Sequence, residues 1–304
     1  MKKSSNIGGQ AVLEGIMMKH GDEFAVAVRK ADGEIAVQKE EYKGKFSGWK
    51  FTKLPFIRGV FNFIDSLVLG IKTLMISASY IEDEEEEKVD EKKEKLIMTL
   101  TTIVSFVIAI GVFMILPYFL ISLLKPLIPS YGVRTVIEGF IRIGIFVGYI
   151  LLVSRMEDIR RTFMYHGAEH KCINCIENGL PLTVENVAKS SRQHKRCGTS
   201  FLFFVMAISI ILLLIIQVEA PLLRIVIRIA LIPVIAGISY EVLKLAGRSD
   251  NFLVNLFSKP GLWIQKLTTK EPDASMIEVA IVAVEEVFDW RAYERENFDV
   301  QAGA

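Results

Sequence analysis

A surplus of charge of either sign is what this chain most plainly lacks. Lys and Arg total 36 against 35 Asp and Glu in 304 residues, a formal net charge of +1. That balance excludes a strongly basic nucleic-acid binder and an acidic disordered tail. A secretory leader is missing too: "MKKSSNIGGQAVLEG" starts with charge but has no sustained apolar core before Glu14, so the N-terminus is expected to stay in the cytoplasm. No internal repeat is visible, which weakens an inverted-repeat transporter. Cysteines number only three and histidines four, and their scarcity makes their placement informative.

What the chain has in quantity is apolar residues, 51% of the total with a mean hydropathy of +0.38. Four segments, 96–124, 135–154, 200–218 and 221–246, are apolar over the roughly 20 residues of helix that cross about 30 Å of hydrocarbon. Lys and Arg accumulate in the 155–199 connection and are sparse near 125–134 and 219–221, which places that connection and both termini on the cytoplasmic side. The expectation is a mainly α membrane protein of about four spans in the lipid bilayer.

The flanking segments are polar by comparison. Residues 22–42 alternate apolar and polar on either side of "ADG", a β-hairpin signal, whereas the glycines of "IGGQAVLEGIMM" suit turns or close backbone approach. In 55–80, Arg58, Asp65 and Lys72 recur every seven residues beside Asn62, Ser66 and Thr73, one polar stripe on a helix. That segment reads as an amphipathic helix at the membrane surface; as a fifth span it would invert the topology. The charge run at 82–95 reads as a solvated linker, and 273 onward as a cytoplasmic helix behind Pro272. The chain thus divides into 1–54, 55–95, a membrane domain at 96–246 and a C-terminal helical segment at 247–304.

His166, His170, His194, Cys172, Cys175 and Cys197 all fall between 166 and 197. A reducing cytoplasm disfavours disulfides there and favours metal binding or plain thiols. "HGAEH" has the form H-x-x-E-H. On a helix its two histidines share a face and can hold one ion, with Glu169 placed as general base, the pattern of the inverted zinc-peptidase signature. The third ligand is open among His194, Cys197, Glu177, Glu185 and Glu278, with His194 favoured because it shares the segment. A rival set, Cys172, Cys175, His194 and Cys197, makes a closed structural site. The plain alternative is that the histidines bond backbone carbonyls and the cysteines pack. In "RCGTSF", Cys197 serves as ligand or as a thiolate beside Arg196, or Gly198 and Thr199 merely form a turn and a cap. Glu138 and Arg142 in the second span, with Arg224 and Arg228 in the fourth, either line a polar membrane site or snorkel.

Taken together, "GGQAVLEGIMM", "PFIRGVFNFIDSLVLGIKTLMISA", "YHGAEHKCIN", "LTVEN", "RCGTSF" and "QKLTTKEP" resemble the YqhQ-like family of bacterial membrane proteins over nearly the whole chain. This is an uncharacterised domain family labelled a predicted metal-dependent enzyme. The resemblance implies a bacterial cytoplasmic membrane, a metal and catalysis, and it marks His166, Glu169, His170, Lys171, Arg196, Cys197 and Gly198. Cys172 and Cys175 are less characteristic of its pattern, which tilts the choice toward the open His-based site.

The leading expectation is therefore a metal-dependent hydrolase at the cytoplasmic membrane face, with a divalent ion, zinc first because imidazole and thiolate suit it. Its substrate is a peptide bond in a membrane protein or a lipid-linked group. The alternative is a non-enzymatic protein in which a structural metal staples the segment for transport or assembly with another membrane protein. A third reading is a metal-ion transporter that uses the cluster as a gate.

Overall fold

The computed structural model describes residues 4–46, 48–81, 91–218, 220–247 and 251–298; most of the acidic run, residues 82–90, lies outside the described residues. Strands β1 (Gly8–Val12), β2 (Gly15–His20), β3 (Glu23–Arg29) and β4 (Ile35–Glu41) form one antiparallel meander in chain order. The hairpin expected at 22–42 is β3–β4, paired from Glu23↔Glu41 to Arg29↔Ile35.

A second hairpin, β1–β2, occupies the glycine-rich stretch read as turns. Its glycine is a packing requirement: a Cβ on Gly15 would lie 2.2 Å from the Ala27 carbonyl oxygen. Glu14 closes the turn at φ 46°, a left-handed conformation uncommon for residues with a Cβ. Its carboxylate accepts hydrogen bonds from Arg161 and Tyr165 of α5 (Glu157–Glu177), which ties the turn to that helix.

Period-two alternation buries both faces of this sheet. Ile16, Met18, Ala25 and Ala27 pack against Tyr165, Ala168 and Cys172 of α5 and against Met276 and Ile277 of α10 (Ala274–Glu285). Val12, Met17, Phe24, Val26 and Val28 pack on Leu69 of α1 (Ile57–Ser79). The polar stripe of α1 turns inward and finds partners: Arg58 with Glu241, Asn62 with Tyr240, Asp65 with Tyr42, and Lys72 with Glu40.

Among the described residues five helices, not four, are long and apolar enough to cross a membrane: Ile57–Ser79, Leu96–Leu123, Tyr131–Val153, Gly198–Ile215 and Leu222–Ala246. The chain is a mainly helical, multi-pass membrane protein. The second of these joins α2 (Glu91–Ile110) to α3 (Leu116–Leu123) through a π turn at Gly111–Ile115. Pro117 explains that turn, since it has no N–H to give and its ring crowds the preceding turn. Helix α4 (Tyr131–Val153) starts four residues earlier than the hydrophobic pattern, because Ser130 caps it by accepting from the Val133 N–H.

The 155–199 connection is largely helical. It contains α5 and the short α6 (Val184–Lys189), and leads into α7 (Gly198–Ile215). After α8 (Pro221–Ala246) come α9 (Phe252–Thr268), α10 and α11 (Trp290–Asn297). The helix expected from 273 onward is α10, and Asp273 caps it by accepting from the Met276 N–H at 2.9 Å.

Candidate functional site

Helix α5 carries two kinds of residue on two faces. One face places Tyr165, Ala168, Cys172, Cys175 and Ile176 in the core under the sheet. The other presents His166, Glu169 and His170, at the i, i+3, i+4 spacing, to a cavity of about 610 Å³.

The segment after α9 is pressed against α5 and orients the first histidine. A Cβ on Gly167 would fall 2.0 Å from the Lys270 carbonyl oxygen, so only glycine admits this approach. The Lys270 N–H donates to Phe163 O at 2.8 Å, and the Thr268 carbonyl accepts from His166 Nδ1 at 2.9 Å. His170 Nδ1 donates in the same way to Arg192 O at 2.7 Å. Carbonyls only accept, so in both neutral imidazoles Nε2 is the bare nitrogen. Such outer partners fix ligand tautomers in metal sites.

The third member is Cys197, the N-cap of α7. Its Sγ lies 3.3 Å from His166 Nε2 and accepts from the Thr199 N–H at 3.4 Å. The donor atoms of His166, His170 and Cys197 all lie within 4.8 Å of one another. Tetrahedral zinc with nitrogen bonds near 2.0–2.1 Å and sulfur near 2.3 Å needs donors about 3.4–3.8 Å apart. Rotamer adjustment closes that difference, so the donor set fits a soft divalent ion with one position left open.

His194 stands behind this group. Its ring centroid is 5.9 Å from that of His170, but Nε2 is turned to Glu177 Oε2 at 3.4 Å. Fully buried Gln265 clamps its backbone, accepting from His194 N at 2.9 Å and donating to His194 O at 2.8 Å. Burial lowers the His194 pKa, with the Glu177 contact opposing, and the ring is therefore neutral. Glu177 is a hub that also accepts from Arg196 and from the N–H and Oγ of Ser5. Its own burial pushes the carboxyl up, but His194, Arg196 and the Ser5 N–H together hold it down at about 2.

Glu169 has the opposite balance. Burial raises its pKa, against the pull of His166 and a hydrogen bond from the Gly9 N–H. A carboxyl shifted upward in a cavity is suited to accept and release a proton. Lys171 supports the site from outside: its Nζ donates to Ala188 O, Ser190 O and Glu271, ordering the segment whose Arg192 carbonyl holds His170.

The remaining candidates are not brought to this point. Cys172 and Cys175 are core residues on the far face of α5. The closed four-ligand arrangement is therefore not formed, and burial pushes the Cys172 thiol up and Cys175 up to about 11. Glu185 pairs with Lys189, and Glu278 with Arg29. Glu138 sits in the first turns of α4, at the end away from α5. There it accepts from Arg228 at 2.6 and 2.7 Å and from Arg142 at 3.1 Å, while Arg142 also donates to Ser209 at 2.8 Å. Arg224 lies over the Tyr118 and Tyr131 rings. One carboxylate is thus shared by two guanidiniums across helices, and the third guanidinium packs on aromatic rings.

Sequence reading missed Gln265, Thr268 and the Arg192 carbonyl as supports. Only the motif "QKLTTKEP" signalled the first two, and a backbone carbonyl leaves no signal.

A family profile described as "Protein of unknown function (DUF1385)" matches residues 54–290. The chain is similar to "Uncharacterized protein YqhQ" of Bacillus subtilis (strain 168), with 38% identity over 300 residues covering 95% of this chain and 94% of the relative. No solved structure matches.

Proposed function

The chain belongs to the family described as Protein of unknown function (DUF1385), and for this member we propose a metal-dependent, membrane-embedded hydrolase. One observation carries the reading: two bare imidazole nitrogens and a thiol converge within 4.8 Å beside a buried carboxyl. His166, His170 and Cys197 would hold a divalent ion, zinc by donor type. When bound, the ion supplies Lewis acidity toward water and toward a carbonyl or phosphoryl oxygen.

The chain's own residues do the rest. Glu169 takes the proton from the attacking water as its oxygen bonds to the substrate centre, and returns that proton to the departing oxygen or nitrogen as the scissile bond breaks. The Thr268 and Arg192 carbonyls keep both histidines in the tautomer that leaves Nε2 free. Gln265 and the Glu177–Arg196 pair hold the backbone turn before Cys197. Three donors facing an open cavity leave room for substrate, which a closed structural site would not.

The site lies on the cytoplasmic side of a bacterial membrane in this reading, because the 155–199 connection is rich in Lys and Arg. Helix α1 then lies along the boundary and not across it. Its contacts are with residues 237–241 of α8, with Phe201 in the first turn of α7 and with the sheet, all on the site side of the bundle.

Purified protein should hydrolyse ester or amide reporters in a zinc-dependent manner, and Glu169→Gln should abolish turnover while keeping the metal. A variant that loses turnover only through loss of metal would move the site to a structural role in transport or assembly.

A second reading rests on the 3.3 Å contact between Cys197 Sγ and His166 Nε2 at the N-terminus of α7: a thiol nucleophile activated by histidine. It requires activity that survives chelators and disappears on alkylation of Cys197.

A further inference from the structure

The cavity in front of His166 and His170 is lined by two unlike sets of residues. One is ionisable: His166, Glu169, His170 and Cys197. The other is apolar: Phe63 of α1, Phe201 and Leu202 of α7 and Leu243 of α8. Helices α7 and α8 are long and apolar enough to cross a membrane, and Leu202, which lines the cavity, is 42% exposed.

We propose that this cavity takes a membrane amphiphile, with its headgroup at His166, His170 and Cys197 and its chain along Phe63, Phe201, Leu202 and Leu243. Hydrolysis of that headgroup rests on the hydrolase reading above; the occupancy does not.

The competing occupant is a peptide from another membrane protein. A helix with its side chains is about 10–12 Å across and rises 5.4 Å per turn, so the 610 Å³ present holds about one turn. An extended peptide would need partners for its backbone, since each unsatisfied amide in an apolar setting costs several kcal/mol. The strand that lines the cavity is β1, and one amide of its free edge is already engaged. The Gly9 N–H is bonded to Glu169, and a Cβ there would sit 2.9 Å from Glu169 Cγ. An acyl or prenyl chain has no backbone groups to satisfy, and the volume lies within the range of small-molecule sites.

The test uses full-length protein in nanodiscs containing a phosphatidylglycerol with a diazirine part-way along one chain. A single-span peptide bearing the same group is run in parallel, and zinc content is measured on the same samples. Labelled residues are mapped by mass spectrometry in wild type, in Ser66→Trp, which fills the cavity from α1, and in Leu67→Trp, an exposed neighbour outside it. The proposal expects lipid labelling around Phe201–Leu202 and Leu243, lost in Ser66→Trp and kept in Leu67→Trp. Labelling confined to outer faces such as Leu100 and Phe140 and indifferent to Ser66→Trp overturns it, as does cavity labelling by the peptide in preference to the lipid. If a variant fails to fold, the wild-type map still decides. Cavity labelling of a protein that binds no zinc removes the hydrolase reading and keeps the lipid site; zinc binding without cavity labelling does the reverse.

Discussion

Replacing Gly167 with alanine tests how the site is held together. The added Cβ would start 2.0 Å from the Lys270 carbonyl oxygen and 3.4 Å from Pro272 Cδ. An ordinary contact needs more than 3 Å, so the 268–272 segment must move away from α5 by about 1 Å or more. Two hydrogen bonds span that gap, Lys270 N–H to Phe163 O and His166 Nδ1 to Thr268 O. Overpacking costs about 1–3 kcal/mol, and each of the two weakened bonds adds about 0.5–1.5 kcal/mol, so Gly167→Ala should lose about 2–6 kcal/mol of stability. The larger consequence is at the site: His166 loses the acceptor that fixes its tautomer, and zinc affinity should fall about 10–100-fold. Competition against a chromophoric chelator measures the affinity, and thermal unfolding in detergent measures the stability. Gly198→Ala is the control, because nothing lies within 4 Å of its Cβ position, and both readouts should stay near wild type. Gly167→Ala that binds zinc and unfolds like wild type would refute this account of how His166 is oriented.

Other outcomes follow from the charges. Glu138→Ala leaves Arg228 and Arg142 without their counter-charge in the bundle and should cost about 3–5 kcal/mol in detergent unfolding, while a Glu138→Leu, Arg142→Leu, Arg228→Leu triple variant recovers much of it. Arg161→Ala should cost about 1 kcal/mol or less, since that pair is 41% and 30% exposed. Both Glu177 and His194 have folded pKa values below their ordinary ones, so each contributes stability above its unfolded pKa that is lost on acidification. Stability should therefore begin to fall below about pH 6.5 through His194 and fall further between about pH 4.5 and 2 through Glu177. Glu177→Gln should flatten the lower part of that profile. Glu169 is shifted the other way, its folded pKa raised by burial, so its contribution is present below the unfolded pKa and lost as pH rises through the folded one. Glu169→Gln should melt at neutral pH no lower than wild type.

The parts of this molecule legible in the sequence are those written in local periodicity or spacing. The β3–β4 hairpin, the apolar helices, the helix behind Pro272 and the His166/Glu169/His170 face of α5 all follow from local patterns of periodicity and spacing. The β1–β2 hairpin was hidden because its glycines serve close packing against Ala27 and Glu169, which only the folded sheet supplies. The full extent of the helix at 157–177 was not legible, because its charged residues read as a connection between spans and only "HGAEH" carried a helical spacing. Spacing favoured His194 as third ligand and left Cys197 open, because both share one segment with His166 and His170. What separates them is rotational: Cys197 caps α7 and faces His166, whereas His194 is turned to Glu177 by a clamp from Gln265, some 71 residues away in sequence. Carbonyl acceptors such as Thr268 and Arg192 carry no side-chain signature at all.

The most direct test of the central claim is the zinc content of detergent-purified wild type beside Cys197→Ala, His194→Ala and Cys172→Ala, each shown to be folded by circular dichroism and gel filtration. A near-stoichiometric metal that is lost in Cys197→Ala and kept in His194→Ala and Cys172→Ala is the expected result. Folded wild type that takes up no zinc, or metal that survives Cys197→Ala and is lost in Cys172→Ala, would contradict it.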